Sequence, residues 1–214
     1  MTQPGSDNNS KPYQKPLPRP VEELTLPLAM PRMGNRFSRW LGRKLMALSG
    51  WQVAGEIPNQ RHLVIAAAPH TSNWDFIHAM CLVLAVGVKF SYLMKQEAFF
   101  WPFKGLFIAL GGIPVDRTRG DEIMSQMQEW FNHNPNCWVA MTPEGTRGEV
   151  SRFKTGFLRI AQAVDAPIML VAFSYPNKTF YFAEPPPLSG DIDTDADVIK
   201  AFFDEHFGGS KPRR

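Results

Sequence analysis

The sequence predicts an α/β domain in which helices flank a largely parallel central sheet. Short apolar runs typical of buried strands alternate with segments whose apolar residues recur at helical spacing. The strand-like runs lie at 63–68, 90–94, 112–115, 137–142, 167–174 and 179–183. The helical segments lie at 73–86, 97–109, 121–133, 154–164 and 195–207. A chain of 214 residues is long enough for one such domain with a full-sized core.

Two segments precede this alternation and one follows it. Residues 1–34 are rich in proline, which excludes a long helix and predicts a flexible or extended leader. Residues 35–49 predict a basic amphipathic helix at the start of a single domain that spans residues 35–208. That helix could lie in a membrane interface or pack on the core, and its pattern leaves both possibilities open. Residues 209–214 predict a frayed basic tail.

Composition narrows the cellular setting and the kind of partner. The formal net charge of +3 is too small to indicate nucleic acid, so no nucleic-acid partner is expected. Cys81 and Cys137 lie in apolar surroundings, which predicts buried thiols in a reducing compartment. No uncharged apolar run approaches the ~20 residues of a membrane span, and the first residues lack the features of a signal peptide. We therefore expect a cytoplasmic protein, peripheral to the inner membrane.

The stretch from Ala68 to Asp75 is the strongest candidate for catalysis. His70 directly follows a strand-like run, and ligands and catalytic groups of α/β folds collect beyond such strand ends. Ser72 can cap the next helix, and Asp75 completes a capping-box pattern. Asp75 could then accept a hydrogen bond from one imidazole nitrogen and leave the other free as a base for a hydroxyl. On spacing alone, an ordinary packed or exposed histidine is the alternative.

The segment from Gly111 to Arg117 is a second candidate. Its glycines lead into a short apolar strand, after which the Arg117 guanidinium could bind a phosphate. A surface ion pair with Asp116 explains this segment equally well. Lys95 ends the strand-like run 90–94 and is a further cation at a strand end, or simply a solvated lysine.

The segment from Thr142 to Arg147 follows the strand-like run 137–142. Gly145 permits a tight loop whose backbone N–H groups could bind an anion, and Arg147 adds a permanent positive charge. Taken alone, this segment could be an ordinary turn.

Several cofactor patterns are absent from the sequence. No cysteine and histidine spacing indicates zinc, and neither a phosphate-binding P-loop nor a dinucleotide fingerprint is present. Four alternating aspartates from Asp191 to Asp197 imitate a calcium loop, but Ala196 and Phe202 stand where that loop needs glycine and glutamate. We expect no metal and no cofactor, and a solvated turn with a helix N-terminus at these aspartates.

The three segments occur in an order that resembles the glycerolipid acyltransferase family, including the 1-acyl-sn-glycerol-3-phosphate (lysophosphatidate) acyltransferases. They match the family patterns H-x4-D, G-x-I-x-x-x-R and P-E-G-T-R, and a proline-led strand follows at Ala166-Pro167-Ile168. The resemblance covers roughly residues 60–175. It departs from many members at Thr142, where they carry an aromatic residue, and at Leu170, where they often carry a second proline. Many relatives also have a long N-terminal membrane anchor, which only the 35–49 helix could replace here.

This resemblance implies a glycerol-phosphate-acyltransferase-like layered domain and an O-acyltransferase. The enzyme would move a fatty acyl group from acyl-CoA or acyl-ACP to a lysophospholipid at the inner membrane surface, with 1-acylglycerol-3-phosphate as the expected acceptor. His70 would act as the base and Asp75 would orient it. The expected acceptor-binding residues are Lys95, Arg117, Glu144, Gly145, Thr146 and Arg147. Acyl chains would lie along residues 97–110, unless these belong to the core.

Three alternatives remain open. The same chemistry could act on another acceptor, such as a lyso-ornithine lipid. The chain could be a non-catalytic lipid-binding protein on the same scaffold, or a hydrolase that transfers the acyl group to water.

Overall fold

The structure, a computed structural model, describes residues 13–70, 72–116, 120–146 and 148–208. Its strands form one seven-stranded sheet, in the order β1-β7-β6-β2-β5-β3-β4. All neighbouring strands are parallel except β6 and β7. The strands are β1 Gln52–Ala54, β2 His62–Ala68, β3 Phe90–Lys95, β4 Gly112–Val115, β5 Cys137–Met141, β6 Ile168–Ser174 and β7 Thr179–Ala183. The largely parallel sheet predicted from the sequence is confirmed.

Helices cover both faces of the sheet. They are α1 Arg36–Ser49, α2 Asn73–Val86, α3 Lys104–Ala109, α4 Gly120–His133, α5 Gly156–Ala163 and α6 Ile192–Phe207. Along β2, Leu63 and Ile65 face a core that includes residues of α1 and α2, whereas Val64 and Ala66 face a core with residues of α4, α5 and α6. Because both faces of β2 are covered, its sequence is a nearly continuous apolar run.

Two elements differ from the sequence prediction. The predicted helix over 97–109 is interrupted: a short 3-10 turn covers Gln96–Ala98, and α3 begins only at Lys104. Pro102 explains this, since its ring disfavours helical backbone at the preceding residue and it has no N–H to donate. Strand β1 was not predicted, because three residues are too few to produce a periodic signal.

The described part of the leader is extended, as its prolines require, but it packs against the domain. Arg19 and Val53 exchange backbone hydrogen bonds, and Arg32 forms a bridge with Val88. Apolar side chains between the prolines are buried in the core with α1 and α2: Val21, Leu24 and Met30. Of the two expected possibilities, flexible or extended, residues 13–34 show the extended one, and the burial of these side chains is the physical reason for their packing.

Helix α1 turns its apolar stripe away from the core. The buried positions of α1 are Gly42 and Met46, whereas Phe37, Trp40 and Leu48 are exposed. Gly42 allows the close approach of α2, since a Cβ on it would lie 2.3 Å from Ala85 N. Within the described residues, no helix is both long enough and apolar enough to span a bilayer.

Candidate active site

His70 and Asp75 are brought together at the carboxyl end of β2. His70 Nδ1 lies 3.2 Å from Asp75 Oδ2. The local sequence produces this contact, because Ser72 caps α2 and Asp75 closes the predicted capping box by accepting the Ser72 N–H at 2.7 Å. Asp75 is buried, with 1% of its surface exposed, while 21% of the His70 side chain is accessible. The imidazole therefore contacts a buried carboxylate on one side and is accessible to solvent on another.

This pairing determines what the imidazole can do. The carboxylate accepts a hydrogen bond and so favours the tautomer with its proton on Nδ1, which leaves Nε2 unprotonated. An unprotonated Nε2 at an accessible edge can take a proton from a hydroxyl.

Tyr175 contacts the same carboxylate from the other side. It directly follows β6, and its hydroxyl donates a hydrogen bond to Asp75 Oδ1. Burial, and then the hydrogen bond to Asp75, raise the pKa of Tyr175 above its ordinary value, so it remains a protonated donor at neutral pH. Tyr175 was not predicted from the sequence, because a lone tyrosine after a strand carries no pattern that indicates such a contact.

Glu144 holds the loop that carries His70. It is buried, at 3% exposure, and its Oε2 accepts the backbone N–H of His70 at 2.5 Å. The pairing of Ala66 with Met141 brings the ends of β2 and β5 side by side, which places both loops at one edge of the sheet. This contact to His70 was not predicted, and an acceptor contact through Glu144 stays a prediction.

The ammonium group of Lys154 lies beside the loop that contains Gly145. Gly145 has a φ of +64°, a conformation that favours glycine, and a Cβ there would lie 2.7 Å from Lys154 Nζ. The Lys154 backbone N–H also donates to Pro143 O at 2.7 Å. Thr146 is exposed in the same loop, and its Oγ1 accepts the Gly148 N–H at 3.3 Å. The Lys154 ammonium therefore lies beside this loop.

Of the three remaining predicted site residues, only Lys95 lies within the described part of the chain. Lys95 is the last residue of β3 and pairs with Val115 at the end of β4, at the edge of the sheet where His70 lies. Arg117 and Arg147 lie outside the described residues. Their roles stay predictions.

The profile of the Acyltransferase family matches residues 51–174, more than half of the chain. The chain belongs to the acyltransferase family.

A solved structure supports the same fold for this acyltransferase. The 1-acyl-sn-glycerophosphate (LPA) acyltransferase PlsC from Thermotoga maritima is similar with a TM-score of 0.55 and 19% sequence identity. The similarity covers 79% of this chain and 78% of PlsC. Compared by sequence with curated proteins, this acyltransferase has no significant match.

Among the described residues, no group of three or more histidine, cysteine, aspartate or glutamate side chains could hold a metal ion. The aspartates near 191–197 are not all solvated as predicted, because Asp195 is buried and accepts the N–H groups of Ser189 and Gly190. Asp191 caps α6, and Asp197 pairs with Arg152.

Proposed function

We propose that this acyltransferase moves a fatty acyl group from an acyl thioester, acyl-CoA or acyl-ACP, to the hydroxyl of a lysophospholipid. The proposed acceptor is 1-acylglycerol-3-phosphate, which would give phosphatidic acid. The observation that carries this proposal is the Nδ1–Oδ2 contact of 3.2 Å between His70 and Asp75, at an accessible edge of an acyltransferase-family domain.

In the proposed reaction, His70 is a general base and the lipid hydroxyl is the nucleophile. Nε2 takes the hydroxyl proton as the oxygen attacks the thioester carbonyl carbon. The negative Asp75 stabilises the imidazolium that forms. The new C–O bond then replaces the C–S bond, and the imidazolium returns its proton to the departing thiolate. The proposed reaction needs no cofactor, because the proton taken from the hydroxyl ends on the released thiol and the acyl group ends on the lipid oxygen.

The acceptor phosphate would lie near the loops that follow β3, β4 and β5. We propose that Lys95, Arg117 and Arg147 bind it, since the first ends β3 and the others follow β4 and β5 in the sequence. Thr146 and the backbone of Gly145 would complete this site. The described ammonium of Lys154 beside Gly145 supports an anion at this position.

Acyl chains would lie along the segment between β3 and β4. Five large apolar side chains of this segment are exposed and do not belong to the core: Phe100, Trp101, Phe103, Leu106 and Ile108. Exposed apolar groups in such number suit a lipid more than water.

The outer face of α1 would bind the inner membrane surface. Phe37, Trp40 and Leu48 are exposed on it, and the exposed Arg36 and Lys44 supply charge for anionic headgroups. Helix α2 packs against α1 and adds the exposed Trp74, one residue from Asp75. Docking on this face would keep the site close to its lipid substrate.

Lipid mass spectrometry tests the reaction. The full chain is incubated with a mixture of lysolipids and either acyl-CoA or acyl-ACP, and phosphatidic acid is the expected product. His70→Ala should reduce its formation to background while the variant keeps the wild-type circular dichroism spectrum. Acylation of a lyso-ornithine lipid, and not of 1-acylglycerol-3-phosphate, would show that the proposed acceptor is wrong. Thiol release without a lipid product would indicate a hydrolase. An intact thioester with every acceptor would indicate a lipid-binding protein.

Sedimentation with anionic liposomes tests the membrane face. Replacing Phe37, Trp40 and Leu48 by serine should reduce the bound fraction, because these changes remove exposed apolar groups without touching the core. The matched control replaces Leu17 and Leu28, which are exposed apolar residues outside α1, and should sediment as the parent does. Equal binding of both variants would disprove the role of α1.

A further inference from the structure

Tyr175 contacts the proposed catalytic pair but belongs to no block of the sequence resemblance. It lies one residue beyond the stretch matched by the family profile, and 100 positions after Asp75 in the chain. Its hydroxyl donates to Asp75 Oδ1, the oxygen that does not face His70.

The two oxygens of Asp75 have different partners. Oδ2 faces His70 Nδ1 at 3.2 Å and accepts the Ser72 N–H at 2.7 Å. A carboxylate can rotate about its last side-chain torsion, which is broad and roughly two-fold. A hydrogen bond to Oδ1 opposes that rotation and keeps Oδ2 directed at the imidazole. Because the Asp75 carboxylate is buried, such partners also compensate for its lost hydration.

The ring of Tyr175 is itself held in place. The buried Trp51, which immediately precedes β1, packs edge-to-face on it with 5.2 Å between ring centroids and 86° between ring planes. The imidazole of His78, in α2, packs against the same ring, with 6.1 Å between the ring centroids. A hydroxyl on a ring fixed from two sides reaches Oδ1 in a defined position, so the contact is preorganised.

We propose that Tyr175 is a positioning residue of the acyltransferase, whose hydroxyl holds Asp75 so that Asp75 orients His70. This inference rests on the proposed function, in which His70 is the base. It assigns a part in the site to the loop between β6 and β7. It adds no catalytic group, because Tyr175 acts on the reaction only through Asp75.

Proton NMR of the full chain tests the inference without any assay of activity. The probe is the downfield imidazole proton of His70 in its hydrogen bond to Asp75, assigned as the signal that Asp75→Asn removes. Tyr175→Phe should move this signal upfield and speed its exchange with water, because the carboxylate becomes free to rotate. The control is Tyr92→Phe, since the buried Tyr92 hydroxyl has no hydrogen-bond partner among the described residues and the change deletes the same atom.

Kinetics supplies an independent readout. In Tyr175→Phe we expect kcat to fall about tenfold while KM for thioester and acceptor stays within about twofold, the pattern of an interaction needed in the transition state alone. In an Asp75→Asn background the same change should have less than about a twofold further effect, because the two residues act as one unit. Tyr92→Phe should keep the parental kcat.

The outcomes separate this inference from the proposed function. An unchanged His70 proton signal in Tyr175→Phe, or a kcat equal to that of the parent, would overturn the role of Tyr175. If the parent transferred no acyl group to any lysolipid, the proposed function would fail, and the NMR comparison would still decide whether Tyr175 positions the pair.

Discussion

At the scale of single residues, the two oxygens of Asp75 accept hydrogen bonds from Ser72 and Tyr175 and also contact His70. We expect Asp75→Asn to lower kcat by on the order of 10³-fold. If the new amide faces His70, it favours the wrong imidazole tautomer, and if it faces Tyr175, the charge that stabilises the imidazolium is still lost. Steady-state kinetics with a saturating lysophospholipid measures the change.

A second buried aspartate offers the matched control for that experiment. Asp195 is also in the first turn of a helix and accepts backbone N–H groups, from Ser189 and Gly190. Asp195→Asn should lower the melting temperature and leave kcat unchanged. If both variants lost the same fraction of activity, the effect of Asp75→Asn would reflect stability and not catalysis.

Glu144 allows a loop anchor and a substrate contact to be distinguished. Glu144→Ala leaves the half-buried His70 N–H without its partner, which costs about 1 kcal/mol, the low end of the range for an unsatisfied donor. If Glu144 acts only as the loop anchor, Glu144→Ala should lower kcat and the melting temperature with an unchanged KM for the acceptor, and Glu144→Gln should retain more activity because it keeps an oxygen. A variant with a raised acceptor KM and a normal kcat would instead place Glu144 on the substrate.

These residues also mark how far sequence alone can predict the site. His70 and Asp75 were predictable because a capping box is local and its spacing brings them together within one turn. Glu144 was predicted as a site residue, but its bond to His70 spans 74 positions and depends on the pairing of β2 with β5. Tyr175 was missed for the same physical reason, since its contact exists only after the sheet has formed.

At the scale of elements, α1 was predicted as a helix but not in its orientation. Its hydrophobic pattern left both a membrane interface and the core open for the stripe of Phe37, Trp40 and Leu48. In the structure this stripe is exposed, and Gly42 and Met46 are buried instead. The deciding property is the small size of Gly42, which lets α2 approach closely and which hydrophobic patterning does not register.

Gly42→Ala tests this packing. Alanine normally stabilises a helix interior by roughly 0.5–1 kcal/mol over glycine, but here its Cβ would lie 2.3 Å from Ala85 N. We expect a net loss of about 1–3 kcal/mol in the free energy of unfolding, measured by urea denaturation. The control is Gly105→Ala in α3, where a Cβ would meet no described atom within 4 Å and stability should not fall. A stabilised Gly42→Ala variant would contradict the close approach of α1 and α2.

At the scale of the whole molecule, the chain order places the site at a reversal in the sheet. From β2 the chain passes through α2 to β3, and from β5 it passes through α5 back to β6 on the other side of β2. The two helices pack on opposite faces, and ligands of α/β sheets bind beyond the strand ends at such a reversal, which here is the carboxyl ends of β2 and β5. The alternation of strands and helices predicted this α/β arrangement, but the strand order depends on long-range pairing that periodicity does not encode.

The leader stabilises this arrangement from outside the sheet, because its own 3-10 turn, Val21–Glu23, packs on both α1 and α2. Leu24→Ala should lower the free energy of unfolding by about 2–5 kcal/mol, because Leu24 is 6% exposed and lies in the core beside these helices. Leu28→Ala makes the same chemical change four positions later at a residue that is 95% exposed, and it should have little effect. Urea denaturation of the two variants decides between a packed and a free leader, since equal stabilities would mean that the leader does not stabilise α2 and the loop before it that carries His70.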